Sequence, residues 1–123
     1  ANIPYPSGTR ELHHEVELVV ALGQDAPAGV LAPESTAGLI FAYGVGLDLT
    51  RRDLQAAAKA KGLPWDIGKG FDHSAPVSEL VPAAQVEGLA SRSLSLQVNG
   101  DTRQHGSLHD LNNGVAHARL LNR

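Results

Sequence analysis

The 123-residue chain contains no cysteine and no methionine, and its aromatic side chains are limited to one tryptophan, two tyrosines and two phenylalanines. The absence of cysteine excludes a disulfide framework and a thiolate metal site, and it fits a reducing compartment such as the cytoplasm. Because aromatic side chains are so few, the hydrophobic core must consist mainly of aliphatic side chains. Because Ala1 stands where an initiator methionine would, we expect the chain to be a processed or partial piece of something longer.

Basic runs and long apolar runs are also lacking. The 10 basic and 13 acidic residues give a formal charge of -3, so nucleic acid and anionic membranes are not expected as partners. No apolar run approaches the roughly 20 residues of a membrane span, and no signal sequence opens the chain. The sequence therefore predicts a cytoplasmic protein with no membrane partner, of a size typical of one domain.

Residues 13–22 have the alternation of a β-strand but carry two glutamates within it. Successive strand side chains point to opposite faces, so Glu15 and Glu17 share a face, which Val19 and Ala21 continue. The alternation alone is typical of a half-buried strand whose polar face meets water. The apolar neighbours instead favour a covered face, where two ionised carboxylates need a positive partner such as a hard divalent metal.

A second strand is predicted over residues 43–49, followed by the clearest helix signal in the chain over residues 51–61. Thr50 and Asp53 form a capping-box-like pair at the start of this helix, and Gly62 marks its end. A short helix is also predicted over residues 36–42, although Gly38 weakens that pattern.

Helical spacing places Arg52 and Gln55 on one face, at the end of the helix nearest Asp48. An acid, a guanidinium and an amide are thus expected to converge at a strand-to-helix junction. Arginines are poorly matched to the positive end of a helix, which indicates a role beyond solvation, although a solvated first turn is the ordinary explanation.

The remaining chain contains a long irregular stretch and a hairpin. Residues 62–82 are expected to shape a site or to contain short strands, and within them Lys69 is a candidate for holding an anionic group. An ordinary surface lysine is the more frequent case. Residues 91–98 and 101–105 flank Asn99-Gly100 as a β-hairpin, and Ser107 with Asp110 predicts the start of a final helix. The six histidines have no recognised zinc spacing.

Several motifs occur in an order and spacing that carry a family resemblance: PSG at residues 6–8, HEVEL at 14–18, GLDLTRRDLQ at 46–55, PWD at 64–66, GKGFD at 68–72, and NG with RQ at 99–104. They resemble the fumarylacetoacetate hydrolase family, most closely its bacterial fumarylpyruvate hydrolase and acylpyruvase branch. The resemblance spans nearly the whole chain, which it identifies as a partial catalytic domain over residues 1–123. It implies a mixed α/β, β-rich fold, a mixed β-sandwich roll with short helices, usually as a homodimer.

The resemblance also implies the site residues and the chemistry. The metal ligands would be Glu15, Glu17 and Asp48, holding Mg2+, or Mn2+ or Ca2+ in a crystal. Arg52, Gln55 and Lys69 would contact a small keto-acid substrate, with Lys69 and Gln55 as the catalytic residues among them. The implied reaction is hydrolysis of a carbon–carbon bond in an acylpyruvate, for example fumarylpyruvate to fumarate and pyruvate.

Other functions remain open at this point. The family's general base lies in an upstream His-x-x-Glu segment that is not among these 123 residues, and a downstream Thr-Gly-Thr-Pro segment is also missing. Three alternatives follow: decarboxylation of an oxaloacetate-like acid on the same metal site, metal binding without turnover, and an iron oxygenase that uses His13 or His14 with carboxylates. His13 lies on the glutamate face but is not expected to be the base.

Overall fold

The computed structural model describes residues 2–109. Its elements in chain order are β1 (Leu12–Leu22), α1 (Pro33–Thr36), β2 (Ile40–Arg51), α2 (Arg52–Ala60), α3 (Asp66–Lys69), β3 (Val81–Pro82), β4 (Ser93–Val98) and β5 (Asp101–Ser107), with 3-10 turns at Ala37–Leu39, Ala83–Gln85 and Leu89–Ser91. The mixed, β-rich architecture with short helices is the one that the sequence predicted. In the described part of the chain, no helix is long and apolar enough to cross a membrane.

The strands form a three-stranded sheet in the order β1-β2-β3 and a separate two-stranded sheet of β4 and β5. Two backbone hydrogen bonds lie at opposite ends of the β1–β2 pair: Gly23 N–H donates to Leu39 O at 2.9 Å, and Arg52 N–H donates to Glu11 O at 2.8 Å. The end of β1 therefore lies beside the start of β2, and the two strands run antiparallel.

The described residues divide into two compact units. The first unit comprises the residues up to Glu17 together with Val45–Ser78, and it contains α2 and α3. Its most buried side chains are Leu49, Thr50, Gln55 and Ala58.

Residues 74–78 pair with the second half of β2 in the first unit. Leu47 N–H donates to Pro76 O and Leu49 N–H donates to Ser74 O, at 3.1 and 2.8 Å. Part of the long stretch at residues 62–82 is thus extended backbone, and Val81–Pro82 is a second short strand. Both findings agree with the expectation that this stretch contains short strands or shapes a site.

The second unit comprises Leu18–Gly44 and the residues from Glu79 onward. Its hairpin agrees closely with the prediction, because β4 and β5 pair antiparallel around the Asn99-Gly100 turn. Asn99 and Gly100 have φ values of 54° and 89°, the left-handed conformation that a tight two-residue hairpin turn requires. His109 N–H donates to Ser107 Oγ at 3.2 Å, as expected for a helix start, but the predicted final helix otherwise lies outside the described residues.

Two sequence-based boundaries were wrong. The helix predicted over residues 36–42 is limited to Pro33–Thr36 and a 3-10 turn at Ala37–Leu39, and β2 already begins at Ile40. The strand predicted over residues 43–49 is therefore longer at both ends. Pairing of β2 with β1 and β3 provides hydrogen bonds for residues 40–43, which the weak helical propensity around Gly38 does not outweigh.

Candidate metal centre

Three carboxylates converge at one place in the first unit. Glu15 and Glu17 project from β1 and Asp48 projects from β2, and each offers an oxygen within 4.8 Å of the others. The two glutamates are two residues apart on one strand, so they share a face. Antiparallel pairing brings Asp48 opposite them. The structure thus gathers the three predicted metal ligands into one cluster.

Two cationic side chains reach the same cluster. Arg52 Nη2 donates to Glu15 Oε1 at 2.6 Å, and Arg52 Nη1 donates to Gln55 Oε1 at 2.7 Å. Lys69 Nζ bridges two acids, with hydrogen bonds of 2.9 Å to Glu15 Oε2 and 2.5 Å to Asp48 Oδ2. All six site residues predicted from the sequence are therefore together, and Arg52 and Gln55 lie on one helix face as helical spacing predicted.

The cluster is open to solvent at one carboxylate, which corrects the expectation of a covered glutamate face. The Glu15, Asp48 and Lys69 side chains are each about one-third exposed, at 33%, 31% and 28%, whereas Glu17 is more exposed than these three. The apolar residues Val19 and Ala21 are only half-buried further along β1. Water or a small molecule can therefore reach the cluster from the Glu17 side.

Neighbouring groups shift the pKa values of Glu15 and Glu17 in opposite directions. Hydrogen bonds from Lys69 and then Arg52 lower the pKa of Glu15. The pKa of Glu17 is raised, first by partial burial and then by the neighbouring Asp48 carboxylate. Burial lowers the pKa of Lys69, but its hydrogen bonds to Asp48 and Glu15 outweigh that effect, and the net shift is upward. The lysine is therefore an ammonium ion held between two carboxylates.

The donor set fits a hard divalent cation. Three carboxylates face two cationic side chains, and among residues 2–109 nothing hydrogen-bonds to the carboxylate of Glu17. Carboxylate oxygens without nitrogen or sulfur donors are the ligands that Mg2+, Mn2+ and Ca2+ prefer. Neither His13 nor His14 belongs to this cluster within the described chain, and the His13 ring instead contacts Glu11 at 3.1 Å. Within residues 2–109, the structure therefore does not place a histidine beside these carboxylates.

The start of α2 differs from the predicted capping box. The helix begins at Arg52, and its N-cap residue Arg51 makes no side-chain cap hydrogen bond. Thr50 is fully buried, and Asp53 instead accepts hydrogen bonds from Thr9 Oγ1 at 2.5 Å and Arg10 N–H at 3.0 Å. The acid therefore fastens the N-terminal segment to the helix, and this contact over more than 40 residues has no local sequence signal.

Lys69 reaches the cluster because α3 lies close to α2. A Cβ atom on Gly68 would lie 3.0 Å from Gln55 Cβ and 3.2 Å from Gln55 N, so a side chain at this position would crowd the helix. Gly68 and Arg51 also contact the elements that carry the site, and no sequence pattern predicted that they help to place Lys69. The flanking glycines of Lys69 were the available signal for close packing. Asp72 and His73 do not join the carboxylate cluster within the described residues.

A β-rich fold whose strands present carboxylates to a lysine, an arginine and a glutamine defines a class of domain with a small, anionic, solvent-accessible site. The chain matches the fumarylacetoacetate (FAA) hydrolase C-terminal family over residues 1–118. It belongs to this family, as the resemblance implied.

Individual relatives include both hydrolases and tautomerases. The chain is 46% identical over 110 residues to the mitochondrial oxaloacetate tautomerase FAHD1 of Arabidopsis thaliana, covering 89% of this chain and 47% of that protein. It is 40% identical over 111 residues to the fumarylpyruvate hydrolase of Ralstonia sp, covering 90% of this chain and 56% of that protein. The chain thus spans about half the length of the curated relatives it matches.

A solved structure supports the fold. The fumarylpyruvate hydrolase of Pseudomonas aeruginosa, crystallised in complex with Mn2+ and pyruvate, superimposes with a TM-score of 0.80 at 44% identity, over 91% of this chain and 47% of that one. The family fold is therefore confirmed, and hydrolases and tautomerases are the enzyme classes found among its relatives.

Proposed function

We propose that this chain carries the metal-binding and substrate-binding part of an enzyme that hydrolyses a carbon–carbon bond in an acylpyruvate, such as fumarylpyruvate. The observation that carries the proposal is the cluster of three carboxylates with Lys69 bridging two of them. Its support from relatives is the Pseudomonas aeruginosa hydrolase, whose structure was solved with Mn2+ and pyruvate. We further propose that the protein acts as a cytoplasmic homodimer.

Glu15, Glu17 and Asp48 would hold a divalent cation, Mg2+ or Mn2+. Such an ion would act as a Lewis acid and as a template for the oxygen pair of a keto acid. Glu17 has the most to gain from a bound cation, since it is the carboxylate without a cationic hydrogen-bond partner among residues 2–109.

The residues of the chain itself would orient the substrate. Lys69 carries three N–H donors on an ammonium whose raised pKa keeps it charged at neutral pH. It would hold the substrate carboxylate or the negative oxygen that develops during bond cleavage. Arg52 and Gln55 are already joined at 2.7 Å, so they present a fixed pair of donors beside the acids.

The proposed reaction balances as a hydrolysis. Water adds to the carbonyl carbon distal to the pyruvate part, and the bond from that carbon to the adjacent carbon then breaks. The electron pair remains on the pyruvate part as an enolate, which takes up a proton at carbon and leaves as pyruvate, while the other part leaves as a carboxylate. Lys69 would stabilise the enolate oxygen, and its hydrogen bond to Asp48 in the cluster supports this role. By resemblance, the base that removes the proton of water would come from a His-x-x-Glu segment, which is not among these 123 residues.

A second candidate function acts on oxaloacetate. Relatives at 46% and 44% identity, from Arabidopsis thaliana and Escherichia coli, are named oxaloacetate tautomerases. Keto–enol tautomerisation moves a proton between carbon and oxygen and requires no water addition. Decarboxylation of oxaloacetate would release carbon dioxide and leave the enolate of pyruvate, the same intermediate as in the proposed hydrolysis. The cluster offers the charge stabilisation that all three reactions need, which makes the substrate and the products the decisive observations.

The test is an assay of the enzyme that contains this chain together with the segment carrying the proposed base, with Mn2+ or Mg2+, on fumarylpyruvate and, separately, on oxaloacetate. Hydrolysis releases one pyruvate and one fumarate per fumarylpyruvate consumed, tautomerisation changes the enol absorbance of oxaloacetate without pyruvate, and decarboxylation yields pyruvate and carbon dioxide. We expect Lys69→Ala to reduce kcat by about 100- to 1,000-fold, because it removes the charged donor from the developing oxyanion.

Lys61→Ala is the matched control, because Lys61 is an exposed lysine directly after α2. It should leave kcat and KM unchanged. The proposal fails if the enzyme with both this chain and the base-carrying segment does not hydrolyse fumarylpyruvate with either Mg2+ or Mn2+, or if Lys69→Ala and Lys61→Ala behave alike.

A further inference from the structure

Arg51 has contacts quite unlike those of its neighbour Arg52. It is the last residue of β2, and in the described part of the chain it makes none of the carboxylate contacts of Arg52. Its Nη2 donates to Ile67 O at 2.7 Å, and its Nη1 donates to Ser7 O at 3.3 Å. The guanidinium carbon also lies 4.6 Å from the centre of the Phe71 ring.

Two of these contacts bracket Lys69 in the sequence. Ile67 lies two residues before the lysine, and Phe71 lies two residues after it. The hydrogen bond to Ile67 O caps a carbonyl in the last turn of α3, where the helix leaves its own acceptors without partners.

The short helix depends on such external contacts. The α3 helix has four residues, far fewer than an isolated helix needs to be stable in water. Gly68 allows α3 to approach Gln55 closely, but a glycine provides no side chain that could hold the helix in place. Arg51 provides directional bonds instead, from the rigid end of a strand.

We propose that Arg51 is a positioning residue, which holds α3 so that the Lys69 ammonium reaches Glu15 and Asp48. This role concerns the geometry of Lys69, and it would influence catalysis only through the function proposed above. Arg51 acts on the backbone on one side of Lys69 and on a ring on the other, so lysine at position 51 would reproduce the charge but not both N–H contacts.

The test measures the reactivity of Lys69 directly, by acetylation of the protein with an amine-directed reagent and mass spectrometry of the lysine peptides. In the unaltered protein, two carboxylates hold the Lys69 amine, so labelling should be slow. In Arg51→Gln we expect Lys69 labelling to rise by roughly three- to tenfold, the range expected when a hydrogen bond of ordinary net strength is lost. Arg51→Lys should restore part of the protection.

Lys59→Gln is the matched control. Lys59 lies 4.2 Å from the Trp65 ring centre, so this variant removes a cation–ring contact from the same region without touching α3's carbonyls. It should leave Lys69 labelling unchanged, and Lys61 labelling should be the same in all variants. Unchanged Lys69 labelling in folded Arg51→Gln protein would overturn the proposal. If Arg51→Gln shows no cooperative thermal transition, the labelling is repeated with Phe71→Leu, which removes the ring that Arg51 contacts. Faster Lys69 labelling in Phe71→Leu would then support the proposal, and unchanged labelling would overturn it.

A double-mutant cycle distinguishes positioning from a general structural effect. Arg51→Gln should lower kcat when Lys69 is present. It should have little further effect on kcat in protein that already carries Lys69→Ala. Equal fold-losses in both backgrounds would overturn the positioning role. The labelling result needs no turnover, so failure of the proposed reaction and failure of the Arg51 proposal give different observations.

Discussion

The carboxylate cluster and the β4–β5 hairpin are built in opposite ways. The hairpin joins residues close in sequence around two turn residues, whereas the cluster joins Glu15 to Lys69, which are 54 residues apart. The hairpin turn needs little stabilisation from the rest of the chain, because asparagine and glycine adopt a positive φ at low energetic cost. The cluster places like charges together, which is unfavourable unless cations compensate. Local chemistry therefore accounts for the hairpin, and tertiary contacts account for the site.

The largest effect is expected from Glu17→Ala, which should affect the carboxylate cluster and leave the hairpin intact. It removes one of the three converging acids, so we expect divalent affinity, measured by calorimetric titration with Mn2+, to fall by about 100-fold or more. Changes outside the ligands themselves already cost about 10- to 100-fold in comparable sites. Glu11→Ala is the control, because it removes an exposed carboxylate that lies outside the cluster and contacts the His13 ring. An unchanged affinity in Glu17→Ala would refute the three-carboxylate site.

A smaller effect is expected from Gly100→Ala in the hairpin. Gly100 has a φ of 89°, and an alanine held in the left-handed region costs about 1–2 kcal/mol. The thermal midpoint should fall by several degrees, while Mn2+ affinity should stay the same. Gly106→Ala is a suitable control, since nothing lies within 4 Å of the added Cβ and its φ is not positive. Loss of metal affinity in Gly100→Ala would show that the site depends on the hairpin.

The smallest effect is expected on the pH dependence of folding stability, measured with a chelator present so that no divalent cation is bound. Partial burial and the nearby Asp48 and Glu15 carboxylates raise the pKa of Glu17 above its ordinary value of 4.5. The folded state therefore binds this proton more tightly than the unfolded state, so this group's contribution to stability falls as pH rises from below 4.5 through the raised folded pKa. Glu17→Gln should be slightly more stable than the unaltered protein at pH 7, by less than about 1 kcal/mol because the group is exposed.

Thermal unfolding at pH 3.5 and pH 7 checks this sign. The stability advantage of Glu17→Gln should be present at pH 7 and should disappear at pH 3.5, where both states are protonated. Glu11→Gln, an exposed acid outside the cluster, provides the comparison. An advantage that grows on acidification would contradict the charge distribution described for the cluster.

Particular elements show where the sequence was informative. The strand over residues 13–22, the helix over residues 51–61 and the hairpin agree with β1, α2 and the β4–β5 pair to within one or two residues at most ends. The short helix over residues 36–42 was wrong at its end, because sheet pairing outweighs weak local propensity. The Thr50–Asp53 cap was wrong because Asp53 binds Thr9 and Arg10 instead.

The candidate site was predictable in its members but not in its contacts. The family resemblance implied all six residues, and strand alternation placed Glu15 and Glu17 together. No local pattern indicated that Lys69 bridges Glu15 and Asp48, or that Glu17 is the exposed member of the cluster. Arg51 was not assigned a role in positioning Lys69, because its partners Ser7, Ile67 and Phe71 are distant from it in the chain.

The sequence by itself determined the hairpin, the helix after Asp48 and the identity of the charged residues, and its family resemblance implied the β-rich class. The hairpin and the helix follow from turn chemistry and side-chain period, which act over a few residues, whereas the resemblance rests on the order of motifs along the whole chain. Only the tertiary structure decided which carboxylate each cation binds, where α2 begins, and how α3 carries Lys69 to the acids. Those choices depend on the three-dimensional balance of charge, burial and hydrogen bonding among residues that the chain keeps far apart.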